Sequence, residues 1–191
     1  LHDHERFSSS QEKNPNFDEQ ERTLFGGAAT VLFSDPPTQT RLRKVVSKAF
    51  TPKRIKDLEP RIHELTQTLL DRAARKGELE IMSDLAAPLP VMVIAEMLGV
   101  PPAQYEQFKH WSDRIVESDN TPPGMPWPDE IRQAISELRA FIGSEIERRR
   151  IEPGEDLISA LVAAHDENEA LSAGELLAFV ILLLLAGNET T

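Results

Sequence analysis

The 191-residue chain contains no cysteine. Within these residues that excludes disulfides, a thiol nucleophile and every thiolate metal ligand, and it leaves the redox compartment open. The apolar run Leu176 to Ala186 has only eleven residues, whereas a membrane-spanning helix needs about twenty. Metal-ligand spacing is missing as well: His2 and His4 stand in a polar opening stretch, His63, His110 and His165 are scattered, and no HExxH occurs. The GxSxG, GxGxxG and GxxxxGK signatures are absent too. Positive charge is in the minority, with 21 Lys plus Arg against 32 Asp plus Glu and a net charge of −11. Such an acidic excess argues against a global nucleic-acid binder and for a soluble protein; the expected location is cytoplasmic, with no membrane partner. No targeting segment appears, but the chain opens at Leu1 and closes inside a motif, so both natural ends are expected to lie outside it.

What is present is helical periodicity. Residues 1 to 34 show no clear helix, only a polar stretch and a Gly-containing loop after Leu24. Asp35-Pro36-Pro37 reads as a helix entrance, an acid able to cap followed by Pro near the first turn, and Leu42, Val45, Val46, Ala49 and Phe50 follow at helical spacing. Thr51-Pro52 starts a second helix carrying Ile55, Leu58, Ile62, Leu65 and Leu69, ended by Gly77. Glu78-Leu79-Glu80-Ile81 alternates charge with bulk and predicts a short strand at Leu79 to Ile81. Pro88 to Leu98 is apolar nearly all round, as a buried helix is, and Gly99 with Pro101 stops it. A helix from about Pro102 to Val116 lines up Tyr105, Phe108, Trp111 and Ile115. The Pro-rich Ser118 to Pro128 connects it, as a non-helical loop suited to a lid, to a helix marked by Ile131, Ile135, Leu138, Ile142 and Ile146. Arg148-Arg149-Arg150 place positive charge at that helix's negative dipole end. Asp156 to His165 makes one more short helix, and Ser172-Ala173-Gly174-Glu175 is a capping-box pattern that starts the apolar rod. The chain therefore reads as one mainly helical unit of about seven helices, without internal repeats.

Three constellations can carry chemistry. At about 100° per residue, Gln39 and Arg43 fall on or beside the apolar arc of Leu42, Val46 and Phe50, whereas Arg41, Lys44 and Lys48 point away. An inward guanidinium requires an anion, from the protein as an ordinary ion pair or from a ligand, unless its stem merely snorkels. Arg41 to Lys56 holds seven basic residues and no acidic one until Asp57. It is either a patch that steers an acidic protein partner or a solvated helix face. The last stretch ends an apolar rod on Gly187, Asn188, Glu189, Thr190 and Thr191. That is a plain helix end, or an acid beside a hydroxyl delivered into a dry site, where the pair can relay protons.

Together these residues resemble one family, the soluble bacterial type of cytochrome P-450, the haem-thiolate monooxygenases. Asp35-Pro36-Pro37-Thr38-Gln39-Thr40-Arg41-Leu42-Arg43, running into Ala49-Phe50-Thr51-Pro52, resembles the family's C-helix signature, and Ala186-Gly187-Asn188-Glu189-Thr190-Thr191 resembles its oxygen-binding I-helix motif. His4-Glu5-Arg6-Phe7-Ser8-Ser9 is similar to the segment before the C helix. The likeness covers the whole chain and only the first part of the family's domain. It implies a mainly α fold, the N-terminal portion of the cytochrome P-450 fold, incomplete as given.

The resemblance implies that Arg43 donates to a haem propionate and that Gln39 stands where the family usually has a His donating to the same group, a departure that supplies a hydrogen bond without charge. It implies that Ala186 and Gly187 lie over the haem face and leave a groove for dioxygen. Glu189 and Thr190 become the acid–alcohol pair that delivers protons while dioxygen is split. It further implies haem b as cofactor, NAD(P)H as electron source, an acidic ferredoxin-like partner on the basic patch, and a small, mostly apolar substrate met by Leu24 to Leu32 and the lid. The iron-ligating Cys, its Gly-rich loop and the ExxR pair lie further along in the family, so this stretch alone is expected to be inactive. The alternative is a non-enzymatic helical ligand-binding or interaction module.

Overall fold

The computed structural model describes residues 6–13, 19–122, 125–163 and 171–189, with no β-strand among them. Nine α-helices are described, joined by short 3-10 and π turns. A 3-10 turn at Gln11–Lys13 and helix α1 (Glu19–Leu24) occupy the opening region where periodicity predicts nothing, because α1 is too short for a period to be read.

Helix α2 (Thr38–Ala49) buries Leu42, Val45 and Ala49. Asp35 does not cap it: Pro37 is the N-cap and no side chain accepts there. The Asp35 carboxylate instead gathers the preceding chain, accepting from Ser8 Oγ at 2.6 Å, Ser9 N–H at 2.9 Å and Lys13 Nζ at 3.0 Å. The Ser8 hydroxyl, the Ser9 amide and Lys13 all favour the ionised form, and they hold its pKa down at about 2. Because the folded value lies below the ordinary one, about 3.9, this tether is complete above about pH 4 and is lost as pH falls through 2. The Ser9 amide resonance should therefore titrate near pH 2 in an NMR acid series; titration near pH 4 would show that Asp35 holds nothing.

The long amphipathic helix expected from Thr51 is two helices. Thr51 caps α3 (Pro52–Asp57) by accepting from Arg54 N–H, and α4 (Glu59–Lys76) starts afresh after Leu58 with Pro60 in its first turn. Pro60 lacks the N–H that a continuous helix needs, so the hydrogen-bond ladder breaks although the apolar period runs on. Ile55, placed by that period on the buried face, is 48% exposed. Gly77 ends α4 with φ 80°.

The strand expected at Leu79 to Ile81 is not formed. Glu80 accepts from Ser83 and Met82 N–H groups, and a π turn at Met82–Ala86 follows. These local bonds and the lack of any partner strand among the described residues override the alternation. Helix α5 (Pro88–Met97) is stopped by Gly99 at φ 70°. Pro102–Gln104 forms a 3-10 lead-in to α6 (Tyr105–Val116), which buries Tyr105, Phe108, Trp111 and Ile115 as its spacing predicts. The connection beyond it is less irregular than its prolines suggest, since Glu117–Asn120 is a 3-10 turn and Trp127 is buried. Helix α7 (Asp129–Ile151) presents Ile131, Ile135, Leu138, Ile142 and Ile146 to the core, and α8 (Leu157–Ala163) follows.

Helix α9 (Ala173–Glu189) is the rod around which this set is packed, in contact with α5, α6 and α7. Its start is the predicted capping box: Ser172 Oγ accepts from Glu175 N–H at 3.2 Å and Glu175 Oε2 from Ser172 N–H at 2.8 Å. Ala178, Val180 and Ile181 are fully buried, and each large apolar side chain so buried contributes about 1.5–3 kcal/mol. No helix among the described residues is long and apolar enough to cross a membrane.

Candidate functional site

The rod is not buried all round. Phe179, Leu182 and Leu183, spaced three and four apart, are only partly covered, and Ala186 at the end of the same stripe is exposed. Helix α2 lies beside the first half of the rod: the Phe50 and Phe179 rings meet edge to face with centroids 6.1 Å apart, and Arg41 pairs with Glu175. The loop after α1 closes the same corner, with Ala29, Thr30 and Val31 against Leu42, Val46, Glu175 and Phe179.

The arginine assignments on α2 are exchanged relative to the sequence expectation. Arg43, expected inward, is exposed and has no ion-pair partner among the described residues, whereas Arg41, expected outward, reaches Glu175. The reason is reach: a guanidinium on a long stem can bend back to a carboxylate 134 positions away, while an arc borderline to the apolar face leaves Arg43 in solvent. Burial pushes Glu175 up, but the bonds from Arg41 and from Ser172 outweigh it and hold the carboxyl below its ordinary value. Gln39, half-buried, shares Arg43's arc with Val46 and Phe50, the arc from which Phe50 reaches α9. Of the basic patch, Lys44, Lys48, Lys53 and Lys56 are exposed, and Arg54 donates to the Ala49 carbonyl at 3.2 Å, closing the end of α2.

Gly187 has a packing reason to be glycine. A Cβ there would stand 2.4 Å from Cδ1 of Ile94 on α5, so its bare side is turned to α5. Gly187→Val should cost about 1–3 kcal/mol by overpacking in urea unfolding, and that cost should shrink when the change is made in an Ile94→Ala background; an equal cost in both backgrounds would mean that the crowding lies elsewhere. Glu189 ends α9, but its side chain, Asn188's side chain, Thr190 and Thr191 lie outside the described residues, as do His165 and most of the loop leading to Leu171.

Sequence reasoning missed Arg149, which is 2% exposed. It sits on α7 and donates from Nε to Asp156 Oδ2 at 2.9 Å, from Nη2 to the Gly99 carbonyl at 2.8 Å, and from Nη1 to Glu145. Asp156 in turn accepts from Ser159 N–H at 2.8 Å and starts α8. One guanidinium thus joins the ends of α5 and α7 to the start of α8. The signal was available: Arg149 is the next step of the stripe Leu138, Ile142, Ile146. Reading it only as one of three cations at the helix's negative dipole end hid that step. A second network, Arg61–Glu96–Tyr105, ties α4, α5 and α6, and burial together with the Glu96 bond pushes the Tyr105 phenol up to about 12. No metal-binding cluster of His, Asp and Glu occurs among the described residues.

The described residues thus form an all-helical layer built on an apolar rod, with a cationic helix beside the first half of that rod. The whole chain, residues 1–191, matches the family model for cytochrome P450, and it belongs to that family. It is 44% identical over 165 residues to the putative cytochrome P450 YjiB of Bacillus subtilis, covering 85% of this chain and 42% of that protein. It is 36% identical to cytochrome P450 CYP107DY1 of Priestia megaterium, covering 100% and 47%. Among solved structures, substrate-free CYP109E1 from Bacillus megaterium superposes with a TM-score of 0.78 at 38% identity, over 96% of this chain and 47% of that one. The chain thus spans less than half the length of the curated relatives described. The helical fold and the family expected from the two signatures are both found.

Proposed function

We propose that the full-length protein is a haem-dependent monooxygenase acting on a small, mostly apolar organic molecule. The observation that carries this reading is the strip Phe179-Leu182-Leu183-Ala186, left partly open on an otherwise buried helix, with Arg43 of the flanking α2 exposed and without an ion-pair partner among the described residues, in a chain matched by the cytochrome P450 family over its whole length. Those residues fit a flat apolar group with anionic edges: the strip supplies apolar area, and Gln39 and Arg43 supply donors from the flanking helix.

When bound, haem supplies the reductive activation of dioxygen. Arg43 binds an edge carboxylate as a charged fork, and Gln39 adds an uncharged amide donor. Ala186 keeps the end of the strip low, leaving room above it. Glu189 and Thr190 hold and pass a proton at the carboxyl and hydroxyl oxygens. The exposed lysines of α2 and α3 dock an acidic electron donor fed from NAD(P)H, and the field of a single-sign patch speeds that encounter. Since the present residues contain no Cys, the thiolate iron ligand comes from another part of the protein. The substrate class is supported by similar proteins: one is 6-deoxyerythronolide B hydroxylase, and another, CYP109E1, was solved in complex with corticosterone.

Two measurements on the full-length protein test the reading. The reduced, carbon monoxide-bound form should show the red-shifted Soret band of thiolate ligation, and a spectrum of the His-ligated type would overturn it. Thr190→Ala should lower product formed per electron consumed by at least about tenfold, given what a positioned proton donor contributes, with peroxide released instead. Unchanged coupling would remove Thr190 from the relay.

A further inference from the structure

We propose that Arg41 and Glu175 form a positioning pair that sets helix α2, and with it the donors Gln39 and Arg43, at a fixed height beside the strip on α9. Arg41 stands between those two donors near the start of α2, so whatever fixes Arg41 fixes them. Its guanidinium donates to Oε1 of Glu175, while Oε2 of the same carboxylate accepts the Ser172 N–H that starts α9. One oxygen of Glu175 thus begins α9, and the other holds the helix beside it.

The first turn of α2 has little of its own to hold it. Its N-cap is Pro37, no side chain caps it, and that turn contains no acid. The carboxylate just before it, Asp35, is turned back to Ser8, Ser9 and Lys13. Arg41 itself lies near the positive end of the helix dipole, where a cation is disfavoured. A carboxylate supplied by another element offsets this, and Glu175 supplies it.

Helix α2 packs directly on α8 and reaches α9 through long side chains, Arg41 at Glu175 and, at the other end of α2, the Phe50 ring on Phe179. Between these points Leu42 and Val46 close on Glu175 and Phe179 around a void of only about 10 Å³. The carboxylate is 12% exposed and the guanidinium 40%. A pair so half-open adds little to overall stability, but it sets a distance. Without it the first turn of α2 can shift relative to α9, and the planar fork of Arg43 no longer meets an edge carboxylate in register.

This inference rests on the proposed function, since Gln39 and Arg43 need a bound group to be positioned against. In the full-length, haem-loaded protein, Arg41→Met and Glu175→Gln each break the pair. A Gln still serves in a capping box, so α9 keeps its start in the second variant. Transfer of haem to excess apomyoglobin should quicken about three- to tenfold in each, the range of one partly enclosed charge-assisted bond, and no further in the double variant. Arg41→Lys should fall between the unaltered protein and Arg41→Met. The deciding background is Arg43→Gln, in which Arg41→Met should add little to the rate, because the pair acts through that donor. Equal quickening in both backgrounds would overturn positioning and make the pair a plain structural contact, and unchanged transfer in both single variants would overturn it too. Amide hydrogen exchange over residues 38–44 should quicken in Arg41→Met while residues 105–115 of α6 stay as protected as before; a rise in both segments together would count equally against the pair. If the unaltered protein holds no haem, the proposed function fails and this inference falls with it, whereas each result above that overturns the pair leaves haem bound and the function standing.

Discussion

Arg149→Met is expected to destabilise the protein by about 3 kcal/mol in urea unfolding, the scale found when one member of a buried ion pair is removed. The guanidinium is 2% exposed, and its partners Glu145 and Asp156 are nearly as enclosed, at 12% and 15%. Burial pushes the Glu145 carboxyl up, and the hydrogen bonds from Arg148 and Arg149 together overcome that push and hold it below its ordinary value. Without Arg149 the two carboxylates keep their desolvation cost, Asp156 loses its guanidinium partner and Glu145 is left with Arg148 alone. The Leu98 and Gly99 carbonyls lose a donor as well. Arg149→Lys should recover less than half of the loss, because one ammonium cannot reach acceptors on α5, α7 and the start of α8 at once. An effect below about 1 kcal/mol for the Met variant would place the junction among ordinary surface pairs.

Gly99→Ala is expected to cost about 3 kcal/mol, and Gly77→Ala only about 1. Both glycines have positive φ, 70° and 80°, and each alanine bears the left-handed penalty of about 1–2 kcal/mol. Only Gly99 is crowded besides. A Cβ there would stand 2.5 Å from Asp156 Oδ2 and 2.6 Å from Arg149 Nη2, atoms locked in the ion pair, whereas nothing lies within 4 Å of one at Gly77. Overpacking of a group that cannot move adds a further one to three. The difference between the two variants, measured by the same denaturation, isolates the crowding from the backbone strain. The double variant Gly99→Ala with Arg149→Met should cost less than the two separately, since both disturb one junction. Full additivity would separate them.

Much of the fold was legible because helices advertise themselves through period and punctuation. The α6 stripe, the α7 stripe, the Gly77 and Gly99 stops and the Ser172 to Glu175 box each came from residues close in sequence, and each is found. Failures arose where a local pattern competed with a longer-range fact or with a single atom. Pro60 broke a helix whose apolar period continued, and the alternation at Glu78 to Ile81 found no strand to pair with among the described residues. The acid at position 35 was read as a cap, yet it binds backward to Ser8, Ser9 and Lys13.

The candidate site divides in the same way. Sequence alone determined the family, the rod whose apolar run reaches Ala186, and the helix that bears Gln39 and Arg43, because signatures and periods are properties of neighbours along the chain. Tertiary structure decided the fate of the arginines: Arg41 went to Glu175, Arg139 to the end of α1, Arg149 into the core, and Arg43 was left in solvent. A guanidinium carries its charge on a stem long enough to choose among several partners. Which partner lies within reach is settled only when elements far apart in sequence are packed against one another.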